Sequence, residues 1–297
     1  LQAAASHNMI AEPKDARMSY KTVVARVNDE RRAARLIEFA ALFAKAHDAH
    51  LIGLFVVPLP VVLNEWPDIA IAEMIEAQRK SYREEGGRIA EIFKDKTAFL
   101  SRPAEWRQLE SQYATVAEAL VQNARMADIV IAPQADLSWH LTHTLDGAEA
   151  AIMESGRPVL VVPNQGDPQP TPSHVTIAWN GRKESTRAAF DALPIIEKAG
   201  HADIVWIDPR TGSQAAGDLP CAELAVAIAR HGVKADARAI QAEDEGVAAA
   251  LREETRRSGS GLLVMGAYGH SRLREFVLGG ATRNTMRDMT LPVLFSH

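Results

Sequence analysis

An alternation of strand and helix that closes on a Pro-Val-Leu strand occurs twice in this chain, and that doubling restricts the fold more than any other feature. The first pass opens with Lys21-Thr-Val-Val-Ala-Arg-Val27, rich in β-branched residues, and runs into a helical pattern from about Arg31 to His47. A strand over His50–Val57 stops at Pro58. It is followed by a long polar helix from about Asp68 to Phe93, a strand near Glu105–Glu110 and a helix from about Thr115 to Met126. A buried-looking strand Asp128–Ala132, a helix around Gly147–Glu154 and the strand Pro158–Val162 complete it. The second pass repeats the order: strand His174–Trp179, helix Ser185–Ala199, strand Asp203–Ile207, helix Cys221–His231, strand Lys234–Ile240, helix Gly246–Arg257, strand Gly261–Met265 and a last strand Leu291–Phe295. Strands alternating with helices predict a parallel sheet covered on both faces.

Arg157-Pro-Val-Leu-Val161 and Leu291-Pro-Val-Leu-Phe295 end the two passes alike. The period is far longer than the roughly 20 to 50 residues of a solenoid, so the expectation is two separately cored domains packed as a pseudo-twofold pair. Pro163-Asn-Gln-Gly-Asp-Pro-Gln-Pro-Thr-Pro172 can continue neither a helix nor a central strand and marks the boundary, giving domains over 18–165 and 173–297. Residues 1–17 read as a cloning remnant or disordered lead-in, with Met18 the preferred start and Met9 the alternative.

With 47% apolar residues, the 297-residue chain can fill substantial cores. Its formal net charge of -5 works against nucleic acid and anionic membrane, so an anionic ligand must be held by local donors. A single cysteine, Cys221, excludes an intrachain disulfide and a thiolate metal cluster. The absence of a long apolar run or a signal pattern makes the cytoplasm the expected location.

The segment with the most chemistry in it is Gly266-Ala-Tyr-Gly269, followed after nine residues by Gly279-Gly280-Ala281-Thr282. It leaves the carboxyl end of a buried strand at Met265, where open parallel sheets place their ligands, and Gly279 precedes a helix expected over Ala281–Asp288. Glycines there let the backbone approach a phosphate and turn N–H donors into one concavity.

The Gly-x2-Gly-x9-Gly spacing, the adjacent Pro-Val-Leu strand and the duplicated plan together resemble the universal stress protein family, from about Tyr20 to His297. The resemblance implies an α/β fold of two tandem doubly wound units, each a mainly parallel five-stranded sheet with helices on both faces, of the adenine nucleotide alpha hydrolase-like kind. It also implies a stress-response or regulatory role and ATP, or another adenine nucleotide, with accompanying magnesium. The nucleotide would be held by Gly266, Gly269, His270, Gly279, Gly280, Ala281 and Thr282. Adenosine would lie against Ala178, Trp179 and Asn180, against Trp206 and Ile207, and beside Met265. ATP-binding relatives carry serine or threonine where this chain has Gly280, and commonly aspartate where it has Asn180. The lost hydroxyl removes a donor worth about 1 kcal/mol toward a charged oxygen. An amide can still bond a ribose hydroxyl, although Asn180-Gly181 reads equally as a turn.

The first pass lacks the motif: Pro133-Gln-Ala-Asp-Leu-Ser-Trp139 follows its fourth strand, and only Asp146-Gly147 echoes Gly279-Gly280. Pro133 has no N–H, and Asp136 and Asp146 would repel phosphate, so this half is expected to be ligand-free or to take something non-phosphorylated. Arg272, Arg274, Arg283 and Arg287 around the loop alternate with Glu275 and Asp288 and read as a paired surface. His140 with His143, and His47 with His50, each lack a third ligand, and Cys221 lacks a partner base, so no metal ligand or catalytic residue is assigned. The chain is therefore expected to be a non-catalytic binding module, at most a weak ATPase, or else a nucleotide-independent interaction protein. Its halves should form an intramolecular pseudo-dimer with further homodimerisation open. The phosphate-gripping Ser-Gly-Gly-x-Asp-Ser and His-x-Gly-His signatures of ATP-dependent substrate-activating enzymes do not occur.

Overall fold

The computed structural model describes residues 19–59, 68–111, 116–139, 141–207, 221–242, 244, 246–268 and 280–297. The first half contains β1 (Thr22–Arg26), α1 (Glu30–His47), β2 (His50–Val57), α2 (Asp68–Thr97), β3 (Glu105–Glu110), α3 (Ala117–Ala124), β4 (Ile129–Pro133), a single turn α4 (Thr142–Leu145), α5 (Ala148–Glu154) and β5 (Val159–Val162). The second contains β6 (Val175–Trp179), α6 (Lys183–Asp191), α7 (Leu193–Ala199), β7 (His201–Ile207), α8 (Ala222–Ala229), β8 (Lys234–Ile240), α9 (Val247–Ser258), β9 (Leu262–Gly266), α10 (Ala281–Asp288) and β10 (Val293–Ser296).

All the strands join one ten-stranded sheet in the order β3-β2-β1-β4-β5-β10-β9-β6-β7-β8. Within each half every pairing is parallel, and the strand orders mirror each other. Only β5 and β10 pair antiparallel, with Leu160 opposite Leu294. These leucines occupy the same position of the repeated Pro-Val-Leu segment, so the seam is self-complementary in the way a twofold contact requires. Each final strand would otherwise expose a row of unpaired N–H and C=O groups, and pairing them joins the two five-stranded units into one sheet, with the buried apolar residues of both halves in one continuous cluster.

Local sequence explains most boundaries. Asp29 begins α1 by accepting the Arg31 N–H at 3.0 Å, and Asp48 ends it in the left-handed conformation. The helix buries a stripe that includes Leu36, Ile37, Ala40, Phe43 and His47. The single helix expected over Ser185–Ala199 is two helices, because Pro194 lacks the N–H that would reach back a turn, and the break falls at Ala192. The helix ending at Phe93 by expectation continues to Thr97. No helix among the described residues is long and apolar enough to cross a membrane.

Candidate functional site

Parallel pairing brings the carboxyl ends of β6, β7 and β9 together: Trp179 lies beside Trp206 and Ala178 beside Met265, with Ile207 ending β7. Gly266 is required by packing. A Cβ there would come within 2.5 Å of the Glu184 carbonyl carbon and the Ser185 amide nitrogen, where α6 begins. Beyond the strand, Tyr268 takes a positive φ of 56° and donates its N–H to the Thr282 hydroxyl oxygen at 3.2 Å. That bond ties the strand exit to the start of α10, which Gly280 precedes and Ala281 opens. Gly269, His270 and Gly279 lie outside the described residues.

Two residues expected to meet a ligand are engaged by the protein. The Asn180 side-chain oxygen accepts the Arg182 N–H at 3.1 Å and the Ser185 hydroxyl at 2.8 Å, holding the turn into α6 and leaving its amide N–H groups as the donors a ligand could meet. Gly181 completes that turn with a φ of 71°, and the Trp206 ring lies over it, 3.3 Å from where a Cβ would stand. Thr282 is buried, and the oxygen expected to meet phosphate accepts from Tyr268 instead.

The same place in the first half is built differently. Val23 pairs with Ile129 as Val175 pairs with Leu262, so Arg26 corresponds to Ala178, Asn28 to Asn180 and Pro133 to Gly266. Equal numbers of residues separate Pro133 from Gly147 and Gly266 from Gly280, which sets Asp136 against Gly269 and Asp146 against Gly279. Arg26 is 3% exposed; its guanidinium donates to the Leu145 carbonyl and lies 3.9 Å from Asp146. Burial lowers its pKa, and Asp146 opposes that shift. Asp146 also accepts the Ala148 N–H at 3.1 Å, at the first residue of α5. Asp136 accepts from Ser138 and pairs with Arg31, which stacks on Trp139 at 4.4 Å. An arginine thus takes the place of an alanine, and two carboxylates the places of two glycines, of the other half.

Sequence reasoning missed Arg26, whose signal was a charged residue inside an otherwise apolar strand. It also missed Gln134, which donates across the seam to the carbonyls of Met286 and Arg287 at 3.0 and 2.8 Å, near the end of α10. A cavity of about 610 Å³ opens along that seam, with Asp146, Gly147 and Glu149 on one side and Tyr268, Arg283 and Met286 on the other. The Tyr268 hydroxyl donates to Glu149 at 2.7 Å across it.

The remaining sequence candidates separate. Arg287 pairs with Asp288 at 2.9 Å, as alternating charge implied; Arg272, Arg274 and Glu275 lie outside the described residues, as does His140. His47 is buried between Tyr20 and Phe43, and burial, with Lys198 and Lys21 adding to it, lowers its pKa to about 3. Cys221 is buried at the start of α8, where desolvation raises its pKa, so it is a poor nucleophile. Sequence reasoning also missed a cluster at the opposite end of the sheet, formed by His174, His201 and Asp203, residues that only strand register brings together.

No family model and no curated protein matches the chain. Solved structures do. A universal stress protein from Archaeoglobus fulgidus DSM 4304 aligns over 93% of this chain and 95% of its own, at 14% identity and a TM-score of 0.69. A candidate universal stress protein from Pseudomonas aeruginosa UCBPP-PA14 covers 95% of each chain at 12% identity with a TM-score of 0.52. A functionally unknown protein from Pseudomonas aeruginosa PAO1 covers 93% of this chain and 92% of its own at 11% identity, also with a TM-score of 0.52. At such identities the likeness is one of fold: the chain has the universal stress protein fold, laid out twice along one sheet.

Proposed function

We propose that the chain is a universal stress protein, a cytoplasmic, non-catalytic regulatory module with domains over 18–165 and 173–297 and one adenine nucleotide site, in the second. The observation that carries this reading is the exchange of Arg26 for Ala178 at matching strand ends. Where the first half sets a buried guanidinium against its loop, the second has a methyl group, opposite Met265 and followed by the partly exposed pair Trp179 and Trp206. Donors for phosphate would come from backbone N–H groups of the Gly266–Gly280 segment and the helix start, with magnesium accompanying ATP.

The test is isothermal titration calorimetry of the full chain with ATP and magnesium. The expected result is one nucleotide per chain, with affinity at least about tenfold weaker in Ala178→Arg, which imports the guanidinium of the other half, and in Gly269→Val, which puts a side chain into the motif. No heat at millimolar nucleotide would exclude the reading.

A second reading, a nucleotide-independent interaction protein of the same fold, is favoured by the internal bonds of Asn180 and Thr282. It predicts no nucleotide binding and wild-type behaviour from both variants in that titration.

A further inference from the structure

We propose that His174, His201 and Asp203, completed by Asp236, hold a divalent transition-metal ion at the amino-terminal edge of the second half's sheet, the end opposite the nucleotide site. His174 immediately precedes β6, His201 begins β7, and Asp203 pairs with Asp236 of β8, so three parallel strands bring one ligand or more each to a common edge. The ligand atoms of His174, His201 and Asp203 all lie within 4.8 Å of one another.

The hydrogen bonding of His174 calls for a cation. Its Nδ1 lies 2.9 Å from the Ser258 carbonyl oxygen, which can only accept, so Nδ1 carries the hydrogen. In a neutral ring Nε2 then presents a lone pair, and it faces the Asp203 Oδ2 atom at 3.3 Å. Asp203 is fully buried, and that oxygen has no hydrogen-bond partner. Two lone pairs held against each other in a buried place repel, and a cation between them reverses the sign. A histidine whose far nitrogen donates to a backbone carbonyl is also the usual second-shell arrangement of a metal ligand.

His201 stacks on His174 with ring centroids 4.2 Å apart and 2° between planes, and its Nε2 stands 3.8 Å from Asp203 and 3.1 Å from Asp236. Bonds of about 2.0–2.2 Å around a tetrahedral ion separate ligands by roughly 3.4 Å, so loading draws the outermost atoms in by about an ångström. Arg238 Nη2 stands 3.4 Å from both Asp203 carboxylate oxygens, donating to Oδ1, and its guanidinium is shared with Glu254; Arg257 pairs with Glu254, and Lys234 reaches Asp236 at 3.7 Å. Two imidazoles and two carboxylates suit zinc(II) or cobalt(II) better than magnesium or calcium. Asp236 and His201 are partly exposed, which gives the ion a way in.

The first half is an internal control. By register His50 corresponds to His201 and Glu105 to Asp236, and this pair persists at 3.3 Å. Thr22 and Ile52, however, stand where His174 and Asp203 do, so half of the ligand set is missing.

The test is titration of the chelator-stripped full chain with zinc(II), together with the visible absorption of its cobalt(II) form. The expected result is one tight equivalent per chain, weakened at least about a hundredfold by His174→Gln and by His201→Gln, and unchanged by His50→Gln. The partly exposed His201 keeps the test open should changes nearer the core fail to fold. Equal affinity in His201→Gln, or no uptake by the wild type at 100-fold excess, overturns the proposal and leaves a proton as the shared cation. Neither outcome depends on whether nucleotide binds at the other end of the sheet.

Discussion

The two halves share a strand order, a loop length and a helix after the loop, yet one seals the carboxyl end of its sheet and the other does not seal it with side chains of its strands. In the first half Arg26 pairs with Asp146 and Asp136 with Arg31, and Arg26, Asp146 and Asp136 stand where Ala178, Gly279 and Gly269 do in the second. A fold repeated within one chain can keep its scaffold while its sites diverge, because the scaffold depends on buried apolar residues and the sites on a few strand-end positions. The seam is the part both halves need unchanged.

The largest expected effects therefore fall at the seam. Leu294→Ala and Leu160→Ala should each cost about 3 kcal/mol in denaturant unfolding, by equal amounts if the twofold reading is right, since both leucines are buried at equivalent places. A large inequality would mean that one half carries the interface. Next comes Arg26→Ala, expected to cost about 2 to 3 kcal/mol because it strands the Leu145 carbonyl and leaves a cavity. Chemical denaturation measures it, and a neutral result would remove the claim that the first half is plugged.

Gly266→Ala should cost about 1 to 3 kcal/mol, since its Cβ meets α6 backbone at 2.5 Å, whereas Gly87→Ala in α2, with open space around it, should stabilise by up to about 1 kcal/mol. Thermal melts of the two variants read the contrast.

A further contrast, read as a slope rather than as a single cost, is a pH dependence centred on His47 of the first half. The His47 pKa is lowered in the folded chain to about 3 from an ordinary 6.5, so the unfolded chain takes up a proton first on acidification. Its contribution is present above pH 6.5 and lost as the pH falls toward 3, at about 1 kcal/mol per pH unit. Unfolding free energies measured from pH 7 to 4 should lose this slope in His47→Gln; an unchanged slope would assign it to other groups.

Much of this architecture is legible in the sequence because periodicity and β-branched runs act locally. The strands His50–Val57, Glu105–Glu110 and Lys234–Ile240 and the helix Ala281–Asp288 lie where their patterns place them, and the Pro-Val-Leu repeats mark the duplication. Position-specific contacts are not local. Nothing beside Arg26 in the sequence indicates that the Leu145 carbonyl would accept its hydrogen bond, and nothing beside Asn180 indicates that the Ser185 hydroxyl would donate to its oxygen. His174, His201, Asp203 and Asp236 become neighbours only through strand register. Of the expected nucleotide contacts, those on strand ends converge by topology, whereas the Thr282 oxygen, expected to meet phosphate, accepts the Tyr268 N–H.

Amide hydrogen exchange with and without ATP and magnesium addresses the difference between the halves most directly. The account predicts added protection in peptides spanning 178–181, 265–268 and 280–284, with 26–29, 133–136 and 146–149 unchanged. Protection in the first-half peptides, or in both sets equally, would contradict it.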